Sequence, residues 1–151
     1  MKQIKTGLIG VSGYGKTHFV NLKNLADQGR AELAAAVVIN PDQVADELAV
    51  MRQLGTEIYS SADAMYENFP GKLDLVCIPT GIALHERMTE QALAYGANVL
   101  VEKPAAGSVE AVRRMMAAEK QSGKFAAVGF QHVYAREIQF IKQYLLSGRL
   151  G

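Results

Sequence analysis

Short apolar runs alternate with segments of helical period along the whole of this sequence. Glycine, proline or asparagine stands at many of the junctions between them, as is typical of turns. Six strands are predicted, at residues 5–9, 32–39, 57–59, 73–78, 98–101 and 125–130. Strands that alternate with helices predict a parallel sheet that is covered by helices.

The helical segments have recognisable beginnings and inner faces. Asn40 and Ser108 are expected to cap the second and fifth helices, because their side-chain oxygens can accept hydrogen bonds from first-turn N–H groups. The fifth helix is expected to bury Val112, Met115 and Met116. These signals place the helices between the predicted strands.

The last helical segment, residues 135–147, has more apolar surface than a helix that faces solvent should show. Ile138, Ile141 and Leu145 share one face, and two aromatic residues add to it. We therefore expect this helix to pack against another element.

Together these elements predict an α/β fold with a doubly wound (Rossmann) parallel sheet of six strands. Ligands of such sheets bind in the crevice outside the carboxyl ends of the strands. The loops that follow the first, second, fourth and fifth strands are therefore the candidate site.

Two phosphate-binding patterns overlap in the loop after the first strand, residues 10–17, GVSGYGKT. The G-x-x-x-x-G-K-[ST] pattern of nucleoside triphosphate loops is matched in full, through Lys16 and Thr17. The G-x-G-x-x-G pattern of dinucleotide turns is matched except at its middle position, which Ser12 holds. On these residues alone the triphosphate pattern fits slightly better, and a tight turn without a ligand is a third interpretation.

The loops after the second and fourth strands carry weaker signals. Neither an acid nor an arginine follows the second strand to indicate NAD or NADP, since Val38 and Asn40 occupy that region. Asn40 could bond a ribose hydroxyl or cap the next helix. After the fourth strand, Thr80 could cap a helix, and His85 could contact a ligand or lie at the surface.

Two charged residues, Glu102 and Lys103, directly follow the fifth strand. A surface ion pair there would contribute little, whereas a lysine in a ligand crevice can bind a substrate oxygen or pass a proton. Glu102 is also the one acid placed to hold the magnesium ion of a triphosphatase. His18, by contrast, is interpreted as an ordinary helix-face histidine.

Composition narrows the classes of function. The 151 residues are 49% hydrophobic and 21% charged, with a net charge of +1 and no basic run, so nothing indicates a nucleic-acid partner. No apolar stretch is long enough to span a membrane, and no metal site is predicted. The single cysteine, Cys77, excludes an internal disulfide framework and predicts a reducing compartment, the cytoplasm.

Several of these stretches together resemble the glucose–fructose oxidoreductase/inositol dehydrogenase (Gfo/Idh/MocA) family. The most specific is residues 96–104, GANVLVEKP, at the end of the fifth strand. The glycine turn that ends near His18 and residues 79–85, 128–131 and 147–151 are similar to the family as well. The resemblance covers essentially the whole chain.

The resemblance implies an oxidoreductase that acts on sugars, cyclitols or related polyols, with NAD or NADP as its cofactor. It implies that Lys103 contacts the substrate and assists proton transfer, and that His85 lies near the same pocket; these two are the candidate catalytic residues. The candidate cofactor-binding residues are Gly10, Ser12, Gly13, Tyr14, Gly15, Asn40, Pro79, Thr80, Glu102 and Lys103. Ser12 and Val38 depart from the family pattern and leave the choice between NAD and NADP open.

Family members continue into a second α/β domain, which supplies most substrate contacts and the usual oligomer interface. Residues 1–130 are therefore expected to be the dinucleotide-binding domain, and residues 131–151 the linking helix and the start of a truncated second domain, the rest of which is absent from this chain. We expect the chain alone to bind dinucleotide weakly and to turn over nothing, and its full-length parent to be a homo-oligomer. A triphosphate-binding protein and a non-catalytic dinucleotide-binding regulatory module are the alternatives.

Overall fold

The computed structural model describes residues 2–149, whose six strands pair in one fully parallel sheet. The strands are β1 (Ile4–Ile9), β2 (Ala31–Val37), β3 (Glu57–Tyr59), β4 (Leu75–Ile78), β5 (Asn98–Val101) and β6 (Ala126–Val128). The helices are α1 (Gly15–Asp27), α2 (Ala45–Gln53), α3 (Ala62–Asn68), α4 (Ile82–Tyr95), α5 (Val109–Ser122) and α6 (Arg136–Leu146). Two short 3₁₀ turns cover Pro41–Gln43 and Gln131–Tyr134.

The strand order β3-β2-β1-β4-β5-β6 sets where a ligand can bind. The chain builds outward from β1 to β3, returns to place β4 beside β1, and then builds outward in the other direction. The loops after β1 and β4 therefore diverge and leave a crevice between them. The predicted doubly wound α/β sheet of six strands is confirmed.

Hydrophobic side chains pack against both faces of this sheet. On one face, Phe19 and Leu22 of α1 and Met51 of α2 pack against the sheet. On the other face, Met65 of α3 and Leu93 of α4 pack against the sheet. Burial on both faces explains why the central strands have nearly continuous apolar runs instead of an alternating pattern.

The second helix begins later than the sequence predicts. Asn40 makes no side-chain capping bond, and the 3₁₀ turn Pro41–Gln43 precedes α2, which begins at Ala45. Val44 interrupts the helical path with φ −138° and ψ 34°, and its side chain is 1% exposed. Burial of Val44 therefore outweighs the local capping signal, and the prediction of Asn40 as a helix cap is wrong.

The beginning of the fifth helix is predicted well, and part of its inner face is not. Ser108 Oγ accepts the Ala111 N–H at 3.1 Å, so the predicted cap is confirmed. Met115 is buried, but Met116 is exposed, so the prediction for Met116 is wrong. The buried stripe of α5 follows the four-residue step from Ala111 to Met115, and Met116 lies about 100° further around the helix.

The apolar face of α6 is not covered by the rest of the described chain. No residue of α6 is buried among residues 2–149, and Phe140 and Leu146 are largely exposed. The helix contacts mainly the neighbouring 3₁₀ turn, Gln131–Tyr134. The expectation that α6 packs against another element is thus not met within the part of the chain that the structure describes.

Candidate functional site

A groove of about 380 Å³ lies at the carboxyl ends of β1 and β4, where the strand order reverses. The loops after β1, β2 and β4 line it together. Its lining residues are Gly10, Val11, Ser12, Gly13, Tyr14, Val38, Ile39, Asn40, Val44, Pro79, Thr80, Gly81 and Leu84. Of the predicted cofactor-binding residues, the structure therefore brings together those of the glycine turn, Asn40, Pro79 and Thr80, with Gly15 directly behind the turn.

The glycine turn presents bare backbone to this groove. Gly10 and Gly13 have positive φ angles of 93° and 57°, which favour glycine. A Cβ atom on Gly13 would meet nothing within 4 Å, whereas one on Gly15 would overlap the carbonyl oxygen of Gly10. Gly13 thus leaves room for a ligand to approach, and Gly15 lets α1 pack closely against β1.

The N-terminus of α1 is the second feature of this turn. Tyr14 stands at the cap position, and no side chain caps the helix among the described residues. The N–H groups of Gly15 and Lys16 already donate to the carbonyl oxygens of Ser12 and Gly13, at 3.0 and 3.2 Å. The end of the helix still carries a partial positive charge, which would favour a phosphate group in the groove.

The Lys16 side chain does not line this groove and is paired with another residue. Its Nζ lies 2.8 Å from Glu47 Oε1 on α2, and the hydrogen bond from Lys16 lowers the pKa of Glu47 below its ordinary value. In a nucleoside triphosphate loop the equivalent lysine reaches the phosphates. The acid at the end of β5, Glu102, is engaged with a histidine instead of being free for a metal ion. Both observations disfavour the triphosphate interpretation.

Two polar side chains of the groove have no partner in the described chain. Thr80 Oγ1 is buried and makes no hydrogen bond within residues 2–149. Asn40 makes no capping bond and is exposed beside Ile39 at the end of β2. Buried polar atoms in native proteins almost always find partners. Rotation of the Thr80 side chain would bring this unused hydroxyl into the groove, where a ligand with hydroxyl groups could bond it.

Of the two charged residues that directly follow β5, Glu102 is buried and Lys103 is exposed. The Glu102 side chain is buried; its Oε1 lies 2.9 Å from His18 Nε2, and its Oε2 accepts the Lys103 N–H at 3.2 Å. Lys103 is exposed and forms no ion pair with any described residue. The Lys103–Pro104 peptide bond is cis. Neither Glu102 nor Lys103 is among the residues that line the groove, although β5 ends at the same edge of the sheet.

His85 is not a surface residue. It is 1% exposed, with Nδ1 2.9 Å from the Pro104 carbonyl oxygen and Nε2 2.9 Å from the Thr80 carbonyl oxygen. The ring connects the loops after β4 and β5, and both of its nitrogens face the protein. Its sequence position alone did not reveal that it lies between two loops of the site.

His18 is the residue that sequence reasoning missed. It is buried, bonds Glu102, and meets Tyr14 edge to face at a ring distance of 5.8 Å. The sequence did contain one indication that Glu102 is paired, because a carboxylate at the end of a buried strand needs a partner. Tyr14 and His18 also share a helix face at four-residue spacing. What the sequence could not supply was that Glu102, 84 positions away, is that partner.

The fold and the groove define a dinucleotide-binding Rossmann domain. The sequence profile of the Gfo/Idh/MocA family, described as an oxidoreductase family with an NAD-binding Rossmann fold, matches residues 4–130. The chain belongs to this family, so the predicted family is confirmed, and the family's description agrees with the predicted NAD-type cofactor.

Similar proteins of known name are dehydrogenases, in agreement with membership of an oxidoreductase family. The inositol 2-dehydrogenase of Pseudomonas fluorescens SBW25 is 30% identical over 149 residues, which are 98% of this chain and 43% of that protein. The WlbA dehydrogenase of Bordetella pertussis, solved with NADH and UDP-GlcNAcA, superposes with a TM-score of 0.87 at 27% identity, over 99% of this chain and 41% of its own. The scyllo-inositol dehydrogenase of Lactobacillus casei, solved with NAD(H) and scyllo-inositol, gives 0.86 at 26% identity, over 99% and 43%. The chain thus spans about two-fifths of the length of these relatives.

Residues 2–149 contain neither a candidate metal cluster nor a helix suited to span a membrane. No group of three or more histidine, cysteine, aspartate or glutamate side chains among them could hold a metal ion. None of the helices in the described range has the length and hydropathy needed to cross a membrane.

Proposed function

We propose that this chain is the cofactor-binding part of an NAD(P)-dependent oxidoreductase that transfers hydride to or from a sugar, cyclitol or related polyol. The observation that carries the proposal is the groove at the strand-order reversal, which has open glycine backbone on one wall and Thr80, whose buried hydroxyl has no partner among the described residues, on the other. Family membership and the named relatives support the reaction class.

Different residues of the groove would bind different parts of the cofactor. The backbone of Gly13 and the uncapped end of α1 would hold the pyrophosphate. Asn40 would bond a hydroxyl of the adenosine ribose, since its amide can both donate and accept. Pro79 and Thr80 would lie along the ribose next to the nicotinamide. When bound, the nicotinamide supplies the group that accepts or donates hydride.

Lys103 is the catalytic residue in this proposal. Its exposed side chain, held at the end of β5, would contact the bound cofactor and a substrate oxygen. The ammonium would donate a proton as a carbonyl becomes a hydroxyl, and the neutral amine would accept one in the opposite direction. The catalytic role expected for His85 gains no support from its burial, since both ring nitrogens already face carbonyl oxygens. We therefore propose that His85 positions its neighbours.

The remaining assignments concern the longer protein. We propose that residues 1–130 are the dinucleotide-binding domain and that residues 131–151 lead into a second domain, which would complete the substrate site. The exposed apolar face of α6 supports such a covering domain. A homo-oligomeric parent in the cytoplasm fits the reaction class and the buried, unpaired thiol of Cys77.

Titration with NADH, NADPH and ATP, followed by nucleotide fluorescence or by the melting temperature, tests the proposal. NADH should bind and raise the melting temperature, and ATP should not. Thr80→Val should weaken NADH binding about three- to tenfold, because one hydrogen bond is lost. It should leave the unliganded protein as stable as before, since this hydroxyl has no partner among the described residues.

Lys16→Ala separates the two phosphate-binding interpretations. It removes the Lys16–Glu47 ion pair, which lies outside the groove lining, so NADH affinity should barely change. Binding of ATP by the wild-type chain, lost in Lys16→Ala and accompanied by no NADH binding, would replace the oxidoreductase proposal with a triphosphate site.

A further inference from the structure

The segment 102–104 is fixed by two buried histidines that reach it from different helices. His18, on α1, bonds the Glu102 carboxylate at 2.9 Å. His85, on α4, lies 2.9 Å from the Pro104 carbonyl oxygen. Lys103, between these two attachment points, is exposed. The only histidine outside this arrangement is His132, which is exposed in the second 3₁₀ turn.

The contact through His18 continues to the Lys103 backbone. One oxygen of Glu102 accepts from His18, and the other accepts the Lys103 N–H at 3.2 Å. A Cβ atom on Gly129 would lie 2.6 Å from Glu102 Oε1, so the glycine leaves space for the carboxylate in this orientation. A buried carboxylate that loses its partner is strongly disfavoured. Without His18, Glu102 would therefore turn away and release the Lys103 amide.

The contact through His85 ties Lys103 to the groove. Its second nitrogen lies 2.9 Å from the Thr80 carbonyl oxygen, and Thr80 lines the groove at the end of β4. Both neighbours are carbonyl oxygens, and a ring nitrogen that carries the N–H donates to one of them. Packed between the two, the ring sets the place of the Pro104 carbonyl relative to the groove wall.

We propose that His18 and His85 are positioning residues that hold Lys103 from both sides and so fix its ammonium relative to the bound dinucleotide. This inference rests on the proposed function, which gives Lys103 its contact with cofactor and substrate. Neither histidine touches the reacting atoms. Each acts through a neighbour of Lys103, His18 through Glu102 and His85 through Pro104.

Hydrogen exchange of single backbone amides in the unliganded chain tests the arrangement itself. His18→Leu and Gly129→Ala should each speed exchange of the Lys103 N–H by about tenfold or more, since both displace its acceptor. Exchange of the Val99 N–H, which bonds the Phe125 carbonyl inside the sheet, provides the internal reference. His18→Gln, which keeps an N–H donor of similar reach, should restore slow exchange, and the exposed-histidine control His132→Gln should change nothing.

An unchanged ratio of Lys103 to Val99 exchange in both His18→Leu and Gly129→Ala would overturn the proposal, because a purely structural effect speeds both amides together. This readout needs no cofactor. If wild-type chain fails to bind NADH, the proposed function fails, and the exchange ratio still decides whether the histidines hold Lys103.

A double-mutant cycle on NADH dissociation then tests the consequence for the site. His18→Leu and His85→Gln should each weaken NADH binding about fivefold or more in the wild-type background and by less than about twofold in Lys103→Met. His85→Asn, whose amide nitrogen can stand in for Nδ1 toward Pro104, should recover most of the affinity. Equal losses in both backgrounds would show that the histidines do not act through Lys103.

Discussion

At the scale of single residues, the groove is marked by polar groups that the described chain leaves unused. Thr80 Oγ1 has no partner within residues 2–149, Asn40 caps no helix, and Lys103 forms no ion pair there. Lys16, by contrast, is bonded to Glu47, although its sequence context suggested a phosphate ligand. Buried hydroxyls without a partner also occur at Tyr66 and Thr89, away from the groove, so it is the position at the carboxyl ends of the strands that marks the site.

Cys77 provides a prediction at this scale. Its thiol is 2% exposed in β4, and burial raises its pKa to about 12. The thiolate is the reactive form, so a thiol with this pKa stays protonated and inert at pH 8. Iodoacetamide should therefore leave the folded chain unlabelled at pH 8 and modify one thiol per chain after unfolding in urea. Rapid labelling of the folded chain would contradict this account of β4.

At the scale of elements, agreement with the sequence depends on which force sets each boundary. β3 and β5 begin and end at the predicted residues because apolar runs between turns define them. The start of α2 differs because the burial of Val44, a tertiary effect, overrides the local signal at Asn40. Local patterns therefore predict an element well where no longer-range packing competes with them.

The residues at the predicted starts of α2 and α5 provide a prediction at the scale of elements. Ser108→Ala removes the Oγ acceptor of the Ala111 N–H and should lower the free energy of unfolding by about 1 kcal/mol. Asn40→Ala is the matched control, since Asn40 makes no such bond, and it should change stability by less than about 0.5 kcal/mol. Urea denaturation of both variants measures the difference. A larger loss for Asn40→Ala than for Ser108→Ala would contradict the assignment of the caps.

At the scale of the whole molecule, strand topology brings together residues that are far apart in sequence. The six-strand architecture and the three loops that line the groove follow from alternating patterns and from the rule that ligands bind at the carboxyl ends. The bond between His18 and Glu102 does not, because it depends on where α1, which packs on β1 and β2, places His18 relative to the end of β5. Sequence patterns therefore predicted the groove, but not the interactions that hold its charged edge.

The uncovered face of α6 belongs to the same scale. It carries exposed apolar side chains, among them Phe140 and Leu146, and the chain spans about two-fifths of the length of its relatives. Exposed apolar surface of this kind is typical of an interface.

The central claim is that the glycine turn, the loop after β4 and the segment around Lys103 form one dinucleotide site. Backbone amide NMR of the ¹⁵N-labelled chain during titration with NADH tests this claim most directly. The amides of Gly13, Thr80 and Lys103 should shift together along one saturating curve, while those of α6 stay unchanged. Shifts confined to α6, or saturation of the glycine turn without any response at Lys103, would contradict the account.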